Sequence, residues 1–427
     1  MTLSWFQIVR FGLVQMALGA IVVLTTSTLN RLMVVEFALP AVLPGLLVGL
    51  HYGIQLSRPR WGFTSDTGGK RTRWIVGGMG VLALGALGAA FAVTLFAQSY
   101  WIAVFLSVLC YALIGIGVGA SGTSLLALLA TATAPHRRAA AATITWLMMI
   151  FGIAVTAGLA GHFLDPYSPQ RLMVVVATIC GLAWGVTVLA IGRIEQRVTV
   201  TPQSDSTPFM QGLREIWAEA ETRHFTVFVF LAMNAYFMQE LILEPYAGLV
   251  FGFTPGQSTS LSGMQNGGVF LGMLTVGVVA TGLKLGSLRA WVVTGCLGSA
   301  LFLGLIAMTG FSATMLGLTP LVVGLGFFNG MFAVAAIGSM MALASQGRGQ
   351  REGTRMGLWG AAQAVAAGFG GLTGAVAVDV MRAVVADGPA FGIVFLAEAV
   401  VFVAAAVMAA RIMANAERRP AELVPAE

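Results

Sequence analysis

The chain has 427 residues, of which 58% are hydrophobic and only 9% charged, against about 25% charged in an ordinary soluble domain. So few charges cannot cover a water-facing surface, and a net charge of +6 scattered along the length excludes a nucleic-acid-binding face. The three cysteines, Cys110, Cys180 and Cys296, stand singly inside apolar runs, which excludes a disulfide scaffold. The expectation is one polytopic membrane protein rather than the two or three soluble domains that length alone suggests.

A helix that crosses the hydrocarbon layer needs about 20 apolar residues. Reading for such runs predicts twelve spans. Six lie near 11–30, 37–56, 74–97, 101–130, 141–163 and 171–192, and six near 225–250, 261–283, 290–311, 316–345, 357–383 and 390–413. Met1–Arg10 leads straight into the first span without a cleavable signal pattern. With the N-terminus inside, all of the 23 Lys/Arg except Arg31, Arg171 and Arg382 fall on the inner side. That asymmetry is the one cytoplasmic loops show, and it places both termini in the cytoplasm.

Four segments follow. Residues 1–192 are expected to form an N-terminal six-helix bundle, 193–224 a cytoplasmic linker, 225–414 a C-terminal six-helix bundle and 415–427 a cytoplasmic tail. In the linker, Phe209, Leu213, Ile216, Trp217 and Ala220 share one helical face behind Thr207-Pro208, a cap followed by a first-turn proline. This helix either lies in the membrane interface or is a solvated connector.

The chain also repeats itself at an offset of 213 residues. Arg138, Trp146, Gly158, Leu159 and Gly161 match Arg351, Trp359, Gly371, Leu372 and Gly374. Each copy follows a basic inner loop and opens a span. Two six-helix halves joined by a linker are the major facilitator architecture, with a site near the midplane. Gly62 to Arg71, which includes Asp66, Gly69, Lys70 and Arg71, resembles that superfamily's G-x-x-x-D-(R/K)-x-G-(R/K)-(R/K) signature, with Thr67 in place of a basic residue.

Ionisable groups inside a bilayer mark function by default. On span seven Glu240 and Glu244 stack on one helix face, and Pro245 is expected to break the helix there and free a carbonyl. Glu240 is read as the deeper acid, and Glu244 as either functional or hydrated at the outer interface. Glu398 in span twelve is expected to pair with an arginine across the bundle. Arg31 and Glu36, after Asn30, are expected to pair and either clamp the first two spans or line an outer vestibule. His51 is the histidine at hydrocarbon depth. Glycine runs such as Gly115-Ile116-Gly117-Val118-Gly119, and Gly77-Gly78 with Gly85 and Gly88, let helices approach closely.

Four stretches carry a resemblance. They are Thr28 to Glu36, Ser57 to Thr72, Ile242-Leu243-Glu244-Pro245-Tyr246-Ala247-Gly248, and Arg351 to Gln363, which includes Arg355 and Trp359. In these the chain resembles the PucC/LhaA group, the bacteriochlorophyll-delivery branch of the major facilitator superfamily. The resemblance implies a role in assembling light-harvesting complexes by holding or handing over bacteriochlorophyll, with carotenoid or lipid as further ligands. It implies antenna or reaction-centre subunits and bacteriochlorophyll synthase as partners, and the bacterial inner photosynthetic membrane as the location. No catalysis is expected. The magnesium of such a pigment takes a hard axial donor, for which His51, Glu240, Gln265, Asn266 and Gln363 are available; Glu244, Tyr246 and Trp359 complete the expected binding set. The alternative is a proton-coupled secondary transporter of a small solute with Glu240 as proton carrier.

Overall fold

A computed structural model describes residues 3–58, 71–134, 137–192, 194, 217–283, 285–311, 317–346 and 352–422. Among these the chain is helical, without a strand. In chain order the long helices are α1 (Trp5–Glu36), α2 (Val42–Gln55), α3 (Arg71–Leu95), α4 (Tyr100–Ala132), α5 (Arg138–Leu164) and α6 (Pro169–Ile191). They continue with α7 (Ala220–Phe251), α8 (Pro255–Val276, continued by a π-helical Gly277–Gly282), α9 (Leu288–Phe311), α10 (Leu318–Gln346), α11 (Glu352–Arg382) and α12 (Asp387–Glu422). Eleven are long and apolar enough to cross a membrane; α2, with 14 residues, is the shorter one. The chain is a multi-pass membrane protein.

One helix lies at each of the twelve expected spans, and the boundary between the first two has moved. The first was expected to stop near residue 30, yet α1 runs on to Glu36 and α2 starts only at Val42. Two π-helical turns, Leu24–Thr28 and Leu32–Glu36, explain the extension. A π turn stacks residues five apart, so Arg31 lies over Glu36 and the pair closes inside the helix at 2.5 Å. The expected clamp between the first two spans is therefore a pair within one helix.

Local signals set the ends. Ser4 and Gln7 form a reciprocal capping box at the start of α1. Ser168 caps α6, with Pro169 at its first position. At the end of α7, Gly252 turns left-handed at φ 68°, a backbone that a side chain resists, and Phe253 N–H returns to the Ala247 carbonyl.

The described residues pack as two compact units. The first holds α1 to α6 with Glu240–Phe251 of α7, Pro255–Gly267 of α8 and Gly371–Val380 of α11. Its apolar core includes Phe11, Leu82, Ile114 and Val176. Gly78 of α3 meets the backbone of Gly117 and Ser121 of α4, the close approach expected of these glycine runs. The second unit holds the first part of α7, the rest of α8 and α11, and α9, α10 and α12. An aromatic chain runs through it: Trp359 stands edge-on to Phe225 at 5.0 Å, and Phe332 meets both Phe228 and Phe402.

Candidate functional site

The first unit contains a buried polar seam, and its origin is backbone irregularity. Pro245 lies within α7, which runs through it to Phe251 rather than breaking. Proline has no N–H, so the Leu241 carbonyl one turn earlier loses its helical donor. Asn30 supplies the replacement: its Nδ2 donates to the Leu241 carbonyl at 2.7 Å, with Asn30 only 1% exposed. The π turn of α1 is met in the same way, as the Tyr111 hydroxyl of α4 donates to the Thr25 carbonyl at 2.8 Å.

Hydroxyls tie α1 to α8. Ser27 and Ser262 bond at 2.9 Å, and Thr28 and Thr259 at 3.2 Å. Arg31, fully buried, donates to Glu36 and also to the Phe253 carbonyl at 2.6 Å, the group that the glycine turn after α7 presents. Thr254 then caps α8 and donates to Asp165 at 2.9 Å. Beside it, Gly161 of α5 lies so close to Gly256 and Ser260 of α8 that a Cβ would sit 2.5 Å from the Gly256 carbonyl. On the other copy of the repeat, Gly45 of α2 rests against Leu372 and Ala375 of α11. Of the repeated glycines, Gly161 thus belongs to a close helix contact.

The acids follow this frame. Glu240, partly exposed, lies beside the Thr26 hydroxyl. Glu244 is 2% exposed and faces Ser27, Ser262 and the Arg31 guanidinium, while neither of its oxygens completes a hydrogen bond. Of the two, Glu244 is the more enclosed by its neighbours, which speaks against the reading of it as a hydrated group at the outer interface. Asp379 of α11, which the sequence reading passed over, accepts from the Ala41 and Val42 amides at 3.0 and 2.7 Å and so caps α2. In the turn between α5 and α6, burial raises the Tyr167 phenol above its usual value; the charge of Glu36 adds to this and that of Arg31 opposes it.

The other expected residues are distributed as follows. His51 is buried on α2, edge-on to Tyr52 at 4.8 Å. Gln55 accepts from Arg58 through its oxygen, so its amide nitrogen faces His51 Nε2 at 2.9 Å. In this arrangement Nε2 accepts and Nδ1 carries the proton, so ligation of magnesium by His51 requires Gln55 to release Nε2. Tyr246 is fully buried in the seam; Gln265 and Asn266 are half-buried on α8, and Asn266 donates to the Ser262 carbonyl. Trp359 and half-buried Gln363 lie in the second unit. Glu398 is also there, fully buried, and its carboxyl has no hydrogen-bond partner among the described residues in place of the expected arginine. Arg71 is buried and donates to the Ala127 carbonyl. Asp66, Gly69, Lys70, Arg351 and nearly all of the linker helix lie outside the described residues, as does the side chain of Arg355.

The run Thr25-Thr26-Ser27-Thr28 was legible as four consecutive hydroxyls in an apolar span, and it is the signal that locates the seam. Among the described residues no cluster of three His, Cys, Asp or Glu side chains is placed to hold a metal.

Comparison with known proteins agrees with this architecture. The chain matches the family described as PUCC protein over residues 28–417. It is 65% identical over 415 residues, 97% of each chain, to the bacteriochlorophyll synthase 44.5 kDa chain of Rhodobacter capsulatus. It is 30% identical over 402 residues to protein PucC of Cereibacter sphaeroides, covering 88% of this chain and 84% of that one. Among solved structures, a bacterial homologue of the human drug peptide transporters superposes with a TM-score of 0.71 at 14% identity, over 97% of this chain and 99% of that one. A peptide transporter solved with alafosfalin does so at 0.70, over 95% of both. At such identity the likeness carries the major facilitator fold and nothing about substrate. One expectation is overturned: the Rhodobacter capsulatus relative is named as a chain of a synthase, against the reading of a protein without catalysis.

Proposed function

Because the chain belongs to the PUCC family, we propose that it works in bacteriochlorophyll supply, as a multi-pass chain of a bacteriochlorophyll synthase assembly that holds pigment and passes it on. The relative named as a bacteriochlorophyll synthase chain, 65% identical over 97% of both chains, is the observation that carries this reading. Its recipients are antenna or reaction-centre subunits, and its location is the inner photosynthetic membrane of a bacterium. Carotenoid or lipid accompanies the pigment in this reading.

A tetrapyrrole offers a flat apolar face, a hydrocarbon tail and a magnesium that takes one hard axial donor. His51, Gln265 and Asn266, all in the first unit, are the donors assigned here to magnesium or to the ring's oxygen substituents, and Tyr246 of the same unit to its apolar face. The test is to isolate the tagged full chain from its native membrane. Near-infrared absorbance that travels with the protein, together with synthase activity in the same fraction, supports the reading. Colourless protein without that activity, from membranes rich in pigment, overturns it.

The seam with its two glutamates favours one second reading, a proton-coupled transporter of a small solute. In proteoliposomes that reading requires solute uptake driven by a pH gradient and abolished in Glu240→Gln, with no pigment retained.

A further inference from the structure

We propose that Glu244 is a proton-binding site, reached along the hydroxyls that join α1 to α8. The placement goes beyond the pigment reading and does not depend on it. Glu244 is enclosed on every side, and its two oxygens complete no hydrogen bond. An enclosed polar group without a partner is costly, and an ionised one far more so. Two hydroxyls, Ser27 and Ser262, bonded to each other, and the Arg31 guanidinium nonetheless lie around the same carboxyl.

The charges around the carboxyl show which ligand is missing. On α1, Arg31 faces both Glu36 and Glu244. On α7 itself, Glu240 lies one turn away, and Tyr246 is buried beside it in sequence. The turn between α5 and α6 brings Asp165, held by Thr254, and Tyr167, which feels the charges of Glu36 and Arg31. From α4 comes Tyr111, committed to the Thr25 carbonyl, and from α11 comes Asp379, committed to the amides of α2. The α8 face contributes neutral groups, Thr259, Ser262 and Asn266. Among the described residues named here, Arg31 is the cation that stands against both Glu36 and Glu244, so the two carboxyls share one positive charge.

A metal cation is a poor remedy, because it needs several oxygen ligands and Arg31 repels it from the same carboxyl. A proton needs one oxygen. Serine and threonine hydroxyls both donate and accept, so the Ser27–Ser262 pair can relay a proton without moving backbone. On uptake, an O–H bond forms at a Glu244 oxygen as a hydronium O–H bond breaks, leaving water and leaving Arg31 with Glu36 as its carboxylate. On release the proton returns to water, and Arg31 shares its charge between Glu36 and Glu244.

The test uses the full chain, free of pigment, in lipid vesicles, read by infrared difference spectroscopy between alkaline and acidic buffer. The expected result is a carboxylic C=O band that grows on acidification, moves in D₂O, disappears in Glu244→Gln and persists in Glu240→Gln. Ser262→Ala and Glu244→Asp are expected to shift the band, which keeps the test decisive if Glu244→Gln does not fold. The proposal is overturned if no band responds to pH, if the band survives in Glu244→Gln, if Glu240→Gln removes it, or if sodium at constant pH produces the same spectrum.

Discussion

Asn30 is the residue whose removal has the most closely defined consequence. In Asn30→Ala the Leu241 carbonyl, bonded at 2.7 Å, loses its donor at a site where Asn30 is 1% exposed. Pro245 prevents any helical N–H from taking over. A buried acceptor left empty costs about 1–3 kcal/mol, and hydrogen bonds between membrane helices average about 0.6 kcal/mol with a maximum of about 1.7. The Asn30 Oδ1 has no partner of its own, so losing it offsets part of the cost. The net expectation is a destabilisation of about 1 kcal/mol. Pro245→Ala supplies the test, because residue 245 then has an N–H to give back to Leu241. In that background Asn30→Ala is expected to cost no more than about 0.3 kcal/mol, a coupling within the range that contacting residues show. Reversible unfolding of the full chain in mixed micelles, measured for the four variants of the cycle, gives the coupling directly. Equal losses with Pro245 and with Ala at that position would falsify the account of the seam as a repair of α7.

Other variants separate the remaining contacts. Gly161→Ala puts a Cβ 2.5 Å from the Gly256 carbonyl and is expected to cost about 1–3 kcal/mol of stability, whereas Gly158→Ala meets open space and is expected to be neutral or to stabilise by about 0.5 kcal/mol in the same unfolding assay. Arg31→Gln is expected to destabilise more than Glu36→Gln, because Arg31 is 2% exposed and serves two acceptors while Glu36 reaches water. Tyr167 has a folded value raised above the unfolded one, so its contribution is complete below the unfolded value near pH 10 and is lost as pH rises through the folded value. Tyr167→Phe is therefore expected to flatten the alkaline limb of the stability curve, and an unchanged limb refutes that assignment.

The spans were legible because crossing hydrocarbon demands a long apolar run, and that demand leaves little room for misreading. The edge between the first two spans was not, because a stretch ending in Asn30-Arg31 looks like the end of a span. Two π turns and an internal ion pair let α1 continue, and π turns leave no periodic trace in a sequence. The enclosure of Glu244 was not legible for a related reason. Distance along a helix says how deep a residue is, not which neighbours close over it, and the enclosure of Glu244 comes from α1 and α8. Asp379 was passed over because its partners are amides of α2, more than three hundred residues away in sequence.

Within the first unit four backbone irregularities are answered by a side chain from another helix: Thr25 by Tyr111, Leu241 by Asn30, Phe253 by Arg31 and the start of α2 by Asp379. Among the described residues, the fully buried carboxyl groups without a hydrogen-bond partner are Glu244 and Glu398. Their surroundings differ. Glu244 lies beside a cation and two hydroxyls, so a ligand can complete it, whereas Glu398 is fully buried in the second unit with no charged group facing it among the described residues. If Glu398 contributes only its bulk, Glu398→Met keeps the volume and removes an unpartnered polar group, which predicts a gain of about 1–3 kcal/mol. Unfolding in mixed micelles decides the matter: a loss of stability in Glu398→Met means that the carboxyl has a partner that matters to the fold, and it refutes the division between the two acids.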